Sequence, residues 1–345
     1  NDFAHLARTY PLLTYTGTAP DVSGLRYAAP VAGRKYTFEA KDGVVALTIS
    51  PDAENTAIWT SSGSGTWSQS ANWSVAPGAG GPGMAVSFDR AITAPATVSV
   101  DQAATFGRCY FNNTNAYTLQ GVEPLTFAET NGSARLTVMN GSPVFNLPVD
   151  VGTGALDVLL MNAAQRVHFA SEFRGAGTIR MLNGGELCFG VANASRSGTT
   201  DVRNGVVVLD NGGTPGRGEV QFNHGSLNGN GFRVTGTNSA TLHGAVRMNG
   251  TGSCTLNTQD ANLILQGGAV IQQGTPMKTG TNQLTISTAL TSSSSSAVLV
   301  VREGTVKIAA GTSVLMTNAA NESIRVGQDA GSARLVIDPN NSVGI

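Results

Sequence analysis

After residue 100 the sequence consists of short segments in which apolar, mostly β-branched residues alternate with polar ones. They recur about every dozen residues and are separated by Gly, Asn, Ser and Thr. Ala134-Arg135-Leu136-Thr137-Val138, Gly177-Thr178-Ile179-Arg180-Met181, Gly205-Val206-Val207-Val208-Leu209 and Gln283-Leu284-Thr285-Ile286-Ser287 are typical, and Thr305-Val306-Lys307-Ile308 and Ala333-Arg334-Leu335-Val336-Ile337 continue the pattern. Period-two alternation over four or five residues is the signature of a strand with one buried face. No segment is long enough to bury that face alone, so stability has to come from stacking one turn of chain on the next. The expected fold is all-β, a parallel β-helix, or β-solenoid, over residues 101–345.

Two further regions precede it. Residues 1–55 carry period-two stretches at Tyr10–Gly17, Arg34–Ala40 and Val44–Ile49, joined in part by Lys41-Asp42-Gly43. Asp-Gly is a two-residue hairpin signal because both positions tolerate positive φ, so this region reads as antiparallel β. Residues 56–100 hold all three tryptophans, Trp59, Trp67 and Trp73, with a Pro/Gly loop from Pro77 to Gly83. A solenoid's first turn exposes an open apolar face and free strand edges, which bulky rings are suited to cover. Aromatic faces also stack on sugar rings, so in the alternative use Trp59, Trp67 and Trp73 are the residues that would meet a glycan. The spacing leaves both uses open.

Composition removes several classes of partner. Charged residues make up 12% of the 345, lysine occurs only at Lys35, Lys41, Lys278 and Lys307, and the net charge is −1. Nucleic acids and anionic lipids require clustered Lys and Arg, so neither is expected. At 41% hydrophobic residues the chain falls outside the composition of disordered proteins. No run approaches the roughly 18 apolar residues of a membrane helix. Cys109, Cys188 and Cys254 are odd in number and lack Cys-x-x-Cys spacing, which suits small buried hydrophobes, with one bridge between neighbouring turns left open.

Parallel β-helices also house polysaccharide-active enzymes, whose chemistry needs particular residues. Glycoside hydrolysis needs two carboxylates within roughly 5–10 Å, and neither Asp-Asp nor Asp-x-Asp occurs. Asp150 with Asp157, or Asp201 with Asp210, could meet across a turn, although Asp is an ordinary turn residue. Gly80-Gly81-Pro82-Gly83-Met84-Ala85 lacks the Asp of the calcium-binding solenoid nonapeptide. His5, His168, His224 and His243 show no metal-ligand spacing, and Asn223-His224-Gly225-Ser226 is similar to a polygalacturonase phrase without its partner acids. The expectation is therefore no catalytic residue, no metal and no cofactor.

Two stretches carry a family resemblance. Trp59 to Trp73, with Ser70-Ala71-Asn72-Trp73-Ser74 and then Val86-Ser87-Phe88-Asp89, resembles the opening segment of bacterial proteins with autotransporter-associated β-strand repeats. Gly175-Ala176-Gly177-Thr178-Ile179, continuing through Gly198-Thr199-Thr200 to Gly205-Val206-Val207-Val208-Leu209, resembles the repeat itself. The resemblance covers roughly residues 55–345 and departs from the pattern at Ala194-Ser195-Arg196-Ser197, where an aromatic phrase is usual. It implies a right-handed parallel β-helix exported to the bacterial cell surface, without catalytic residues in the repeat. Tyr10–Gly17 and Val44–Ile49 look like the closing strands of such a unit, and Ile345 falls in mid-pattern. The expected role is a non-catalytic subunit or segment of an extracellular fibre or layer, with other copies of itself as partners. A glycan-binding stalk is the first alternative and a polysaccharide-active enzyme the second.

Overall fold

The structure is a computed structural model that describes residues 8–25, 34–51, 56–223, 229–292, 298–316, 324–327, 332–339 and 341–344. It is an all-β chain with a single three-residue 3-10 turn at Ser70–Asn72 among the described residues. The serine run Ser292 to Ser296, which reads in the sequence as a loop protruding between turns, falls almost entirely outside them.

The N-terminal region is a three-stranded antiparallel sheet in which Val44–Pro51 is flanked by Arg8–Thr14 and Arg34–Lys41. Lys41 pairs with Val44 across Asp42-Gly43, both at positive φ (54° and 76°), the geometry the Asp-Gly signal predicts. Val45 and Leu47 are its buried side chains, while Tyr10, Leu12 and Leu13 are exposed.

From Thr56 the chain winds into a parallel β-solenoid. Two long faces run its length, one of thirteen strands and one of twelve. Thirteen strands at about 4.8 Å give a rod of roughly 58 Å. A third face has four strands in the first half, Ala104–Phe106 to Phe173–Arg174, and five in the second, Ala240–Leu242 to Ala333–Ile337. The parallel ladder already begins where Thr56–Ile58 pairs with Ala85–Phe88, well before residue 101. The tryptophan-rich segment is thus wound into the first rungs, with Thr56–Ile58 and Gly65–Thr66 each pairing in parallel with a strand of the next turn.

Inside the rod each strand contributes its inward residues to one continuous core. In the first half the filling is aromatic. Phe88 stacks on Phe111 with centroids 4.9 Å apart, and Phe145, Phe169 and Phe189 continue upward at 5.3 and 5.8 Å. Such pairs contribute about 0.5–1.5 kcal/mol each beyond area burial. In the second half Leu242, Leu263, Leu284 and Val306 take over.

One corner explains the Gly-rich phrases of the repeat. Gly154, Gly177, Gly198, Gly218, Gly244 and Gly267 stand above one another, one per rung. A Cβ on Gly177, Gly198, Gly218 or Gly244 would lie 2.0 Å from the carbonyl oxygen of the glycine below. Only hydrogen fits there, which is the close backbone approach that glycine permits.

Candidate functional site

The three tryptophans form one cluster under the first rungs. Trp59 meets Trp73 edge-on with centroids 5.1 Å apart, and Trp67 meets Trp73 at 4.9 Å. Trp73 Nε1 donates to the Trp67 carbonyl at 2.8 Å and Trp67 Nε1 to that of Gly78 at 3.2 Å. Their exposures are 1% for Trp59, 1% for Trp67 and 5% for Trp73. Sugar stacking requires a ring face open to solvent. None of the three presents one, because the rings pack on one another and onto Phe88 and Phe106. An external quencher such as acrylamide should therefore barely reduce the tryptophan fluorescence of the folded protein, and added glycans should leave it unchanged. Quenching close to that of the denatured chain would show exposed rings instead.

The acid pairs considered for glycoside chemistry sit on different faces. Asp150 belongs to the third face and Asp157 to the thirteen-stranded one, while Asp201 lies on the thirteen-stranded face and Asp210 on the twelve-stranded one. Each is engaged locally. Asp150 accepts from the Gly152 amide, Asp157 pairs with Arg180 on the next rung at 2.6 Å, and Asp201 pairs with Arg203 at 3.2 Å and accepts from Asn223. Sequence spacing brought them within reach of a rung, but the corners between faces turn them apart.

Buried polar residues cluster where the third face lapses. Segments 190–199 and 211–219 contain no strand and share one bridge, Ala192 with Thr214. Backbone groups left without a ladder must find partners or lose free energy. Asn193, fully buried, accepts from the Phe173 amide at 2.7 Å and donates to the Thr214 carbonyl at 2.6 Å. Arg196, 1% exposed, donates to the carbonyls of Gly177, Gly198, Thr199 and Pro215 and lies over the Phe173 ring. Arg196 is therefore a substitute for hydrogen bonds that a strand at this corner would have supplied.

Lys278 serves a similar corner further along. It occupies an inward position beside Leu256, and its Nζ donates to the carbonyls of Thr279, Gly280 and Glu303 at 3.0, 2.6 and 2.9 Å. Burial lowers the ammonium to about 8, against a weaker upward pull from the Glu303 carboxylate. Between about 8 and the ordinary value near 10.5 the unfolded chain then binds the extra proton. Stability should rise across that window as pH increases and be lost as pH falls through 8, on the order of 2 kcal/mol. Urea titrations at stepped pH check this, with Lys278→Met expected to flatten that component of the profile.

The cysteines are unpaired and buried. Cys109 and Cys254 point into the core, where burial pushes their thiols up. Cys188 differs. Its neighbours Leu187 and Phe189 fill the core, so Cys188 faces outward, in register with His168 one rung below. Asp210, one rung above, completes a group whose nitrogen, sulfur and oxygen atoms all lie within 4.8 Å of one another. Spacing within a single segment could not reveal this group, since its members are a full rung apart in sequence. His243 is exposed, and His5 and His224 lie outside the described residues.

These features define a β-solenoid whose buried polar groups mostly serve its own backbone. Comparison with family models, curated proteins and solved structures returns no match to this chain.

Proposed function

We propose that the protein is a non-catalytic structural component of an extracellular bacterial fibre or surface layer, a unit that stacks with other copies along the solenoid axis. What supports this reading is that polar side chains tie rung to rung instead of converging on a substrate. Arg180 reaches down to Asp157, Arg233 to Glu186 and Arg247 to Glu219, at 2.6, 2.7 and 2.6 Å. Asn249 donates to Asn223, which donates in turn to Asp201. Individual ion pairs at a surface contribute only about 0–1 kcal/mol, but repeated along one axis they stiffen a rod in one direction. The hydroxyl- and amide-rich composition suits a secreted surface, and the resemblance to autotransporter-associated repeats points to the same setting.

Electron microscopy of native material tests the reading directly. Filaments or sheets with an axial repeat of about one unit's length are expected. Isolated rods that remain single at high concentration would overturn assembly and favour a glycan-binding stalk, and soluble sugars released from a polysaccharide panel would favour an enzyme.

A further inference from the structure

His168, Cys188 and Asp210 make up the one group of three or more metal-capable side chains among the described residues. They come from successive rungs of the twelve-stranded face and lie on its outer side. His168 and Asp210 side chains keep 22% and 32% of their surface in solvent, so the cluster is open to small ions.

Its geometry is unusual for an ion pair. His168 Nε2 stands 3.7 Å from Asp210 Oδ2, too far for a hydrogen bond, and this buried nitrogen makes none. Buried polar atoms nearly always have a partner. Bond lengths of about 2.0–2.3 Å to zinc place the ligand atoms of a tetrahedral site roughly 3.3–3.8 Å apart. The His–Asp separation already has that value, and a small side-chain rotation would bring the sulfur in.

The surroundings hold the group in this arrangement. Residue 190 beside it is glycine, and an added Cβ there would stand 2.8 Å from His168 Nε2. Thr235 Oγ1 donates to Asp210 Oδ1 at 2.7 Å, which fixes the carboxylate as an outer-shell partner does in metal sites. Arg166 Nη2 donates to Cys188 Sγ at 2.7 Å, a contact that favours the thiolate.

We propose that His168, Cys188 and Asp210 bind one divalent transition-metal cation of the zinc class, with water in the fourth position, as a clamp across three rungs. A nitrogen, a sulfur and a carboxylate oxygen in tetrahedral reach suit zinc and cobalt over magnesium or calcium. Burial holds the free thiol up to about 11, so binding exchanges the S–H bond for a metal–thiolate bond and releases that proton to solvent. This site is independent of the assembly proposed above, since a clamp would stiffen a rod in any role.

The test is titration of the chelator-stripped full chain with Co2+ under reducing conditions. One equivalent should bind, giving the intense visible bands of a tetrahedral ion and a near-ultraviolet thiolate-to-metal band, both erased by Zn2+. Cys188→Ser should abolish the thiolate band. His168→Ala and Asp210→Asn should each weaken binding at least tenfold. Gly190→Ala, which keeps all three ligands and crowds His168, should weaken it similarly. A weak octahedral spectrum without the thiolate band in the wild-type protein overturns the proposal without recourse to any variant. So does tight binding that survives both Cys188→Ser and His168→Ala.

Discussion

Gly218→Ala is expected to split the solenoid at its middle. The new Cβ would lie 2.0 Å from the Gly198 carbonyl oxygen, 2.5 Å from its carbon and 2.6 Å from the Ser197 oxygen. All three obstacles are backbone, so no rotamer change relieves them. The corner cannot simply open either, because Thr200 pairs with Val220 two residues further on and fixes the separation of the rungs. Either the clash persists or part of that ladder breaks, and both belong to the rare class of substitutions costing more than about 4 kcal/mol. In a repeat architecture such damage is local, since each rung contacts only its neighbours. Denaturant unfolding should therefore change from one transition to two, with amide exchange accelerated around residues 198–220 and 244. Gly184→Ala supplies the control, its nearest neighbour being an Asn204 side-chain nitrogen at 3.8 Å, and it should stay within about 0.5 kcal/mol of the parent. A Gly218→Ala protein with the parent's unfolding curve would mean that the corner is looser than this packing and that the glycine column has no structural role.

The glycine column also marks the limit of what the sequence discloses. Gly175-Ala176-Gly177-Thr178 and Gly198-Thr199-Thr200 stand out as phrases, and the strands between them follow from period-two alternation. That these glycines superpose depends on rung length, which varies along the chain and is set by stacking, a nonlocal effect. The same holds for His168, Cys188 and Asp210, which are separated by a rung of roughly 20 residues and so look unrelated in sequence. Local signals fared better. Asp42-Gly43 specified its turn, because a two-residue hairpin depends only on its own φ angles. The tryptophans were legible as a group at the solenoid's start, yet which way their rings point depends on Phe88 and Phe106, tens of residues away in the case of Trp67 and Phe106. The lapse of the third face is legible at 211–219, where four glycines and Pro215 fall within nine residues, whereas at 190–199 its mark is Arg196, a charged residue in a polar turn that alternation alone would place outside.

Arg196→Leu tests whether that residue replaces a missing strand. Its Nη1 donates to the Gly198 carbonyl, the Pro215 carbonyl and Thr200 Oγ1 at 2.6, 2.8 and 3.2 Å, and its Nη2 to the Gly177 and Thr199 carbonyls at 3.0 and 2.8 Å. Those acceptors belong to three successive rungs, and the guanidinium carbon sits 5.5 Å from the Phe173 ring centre. Burial lowers the guanidinium only to about 10, so it stays charged at neutral pH. Leucine would fill much of the volume but leave the carbonyls without donors, each costing about 1–3 kcal/mol if water cannot reach it. Because the corner will relax in part, a net loss of about 3–5 kcal/mol is expected. Arg196→Lys, with the charge but without the planar fork, should fall between the two. Hydrogen exchange read at single amides separates this from a general loss of stability, since protection should fall at residues 177–217 and persist on the rungs beyond Ala240. If Arg196→Leu were as stable as the parent, water or a shifted backbone must satisfy those carbonyls. The solenoid would then tolerate a missing strand without any internal cation, and the residue would hold its place for a reason other than hydrogen bonding.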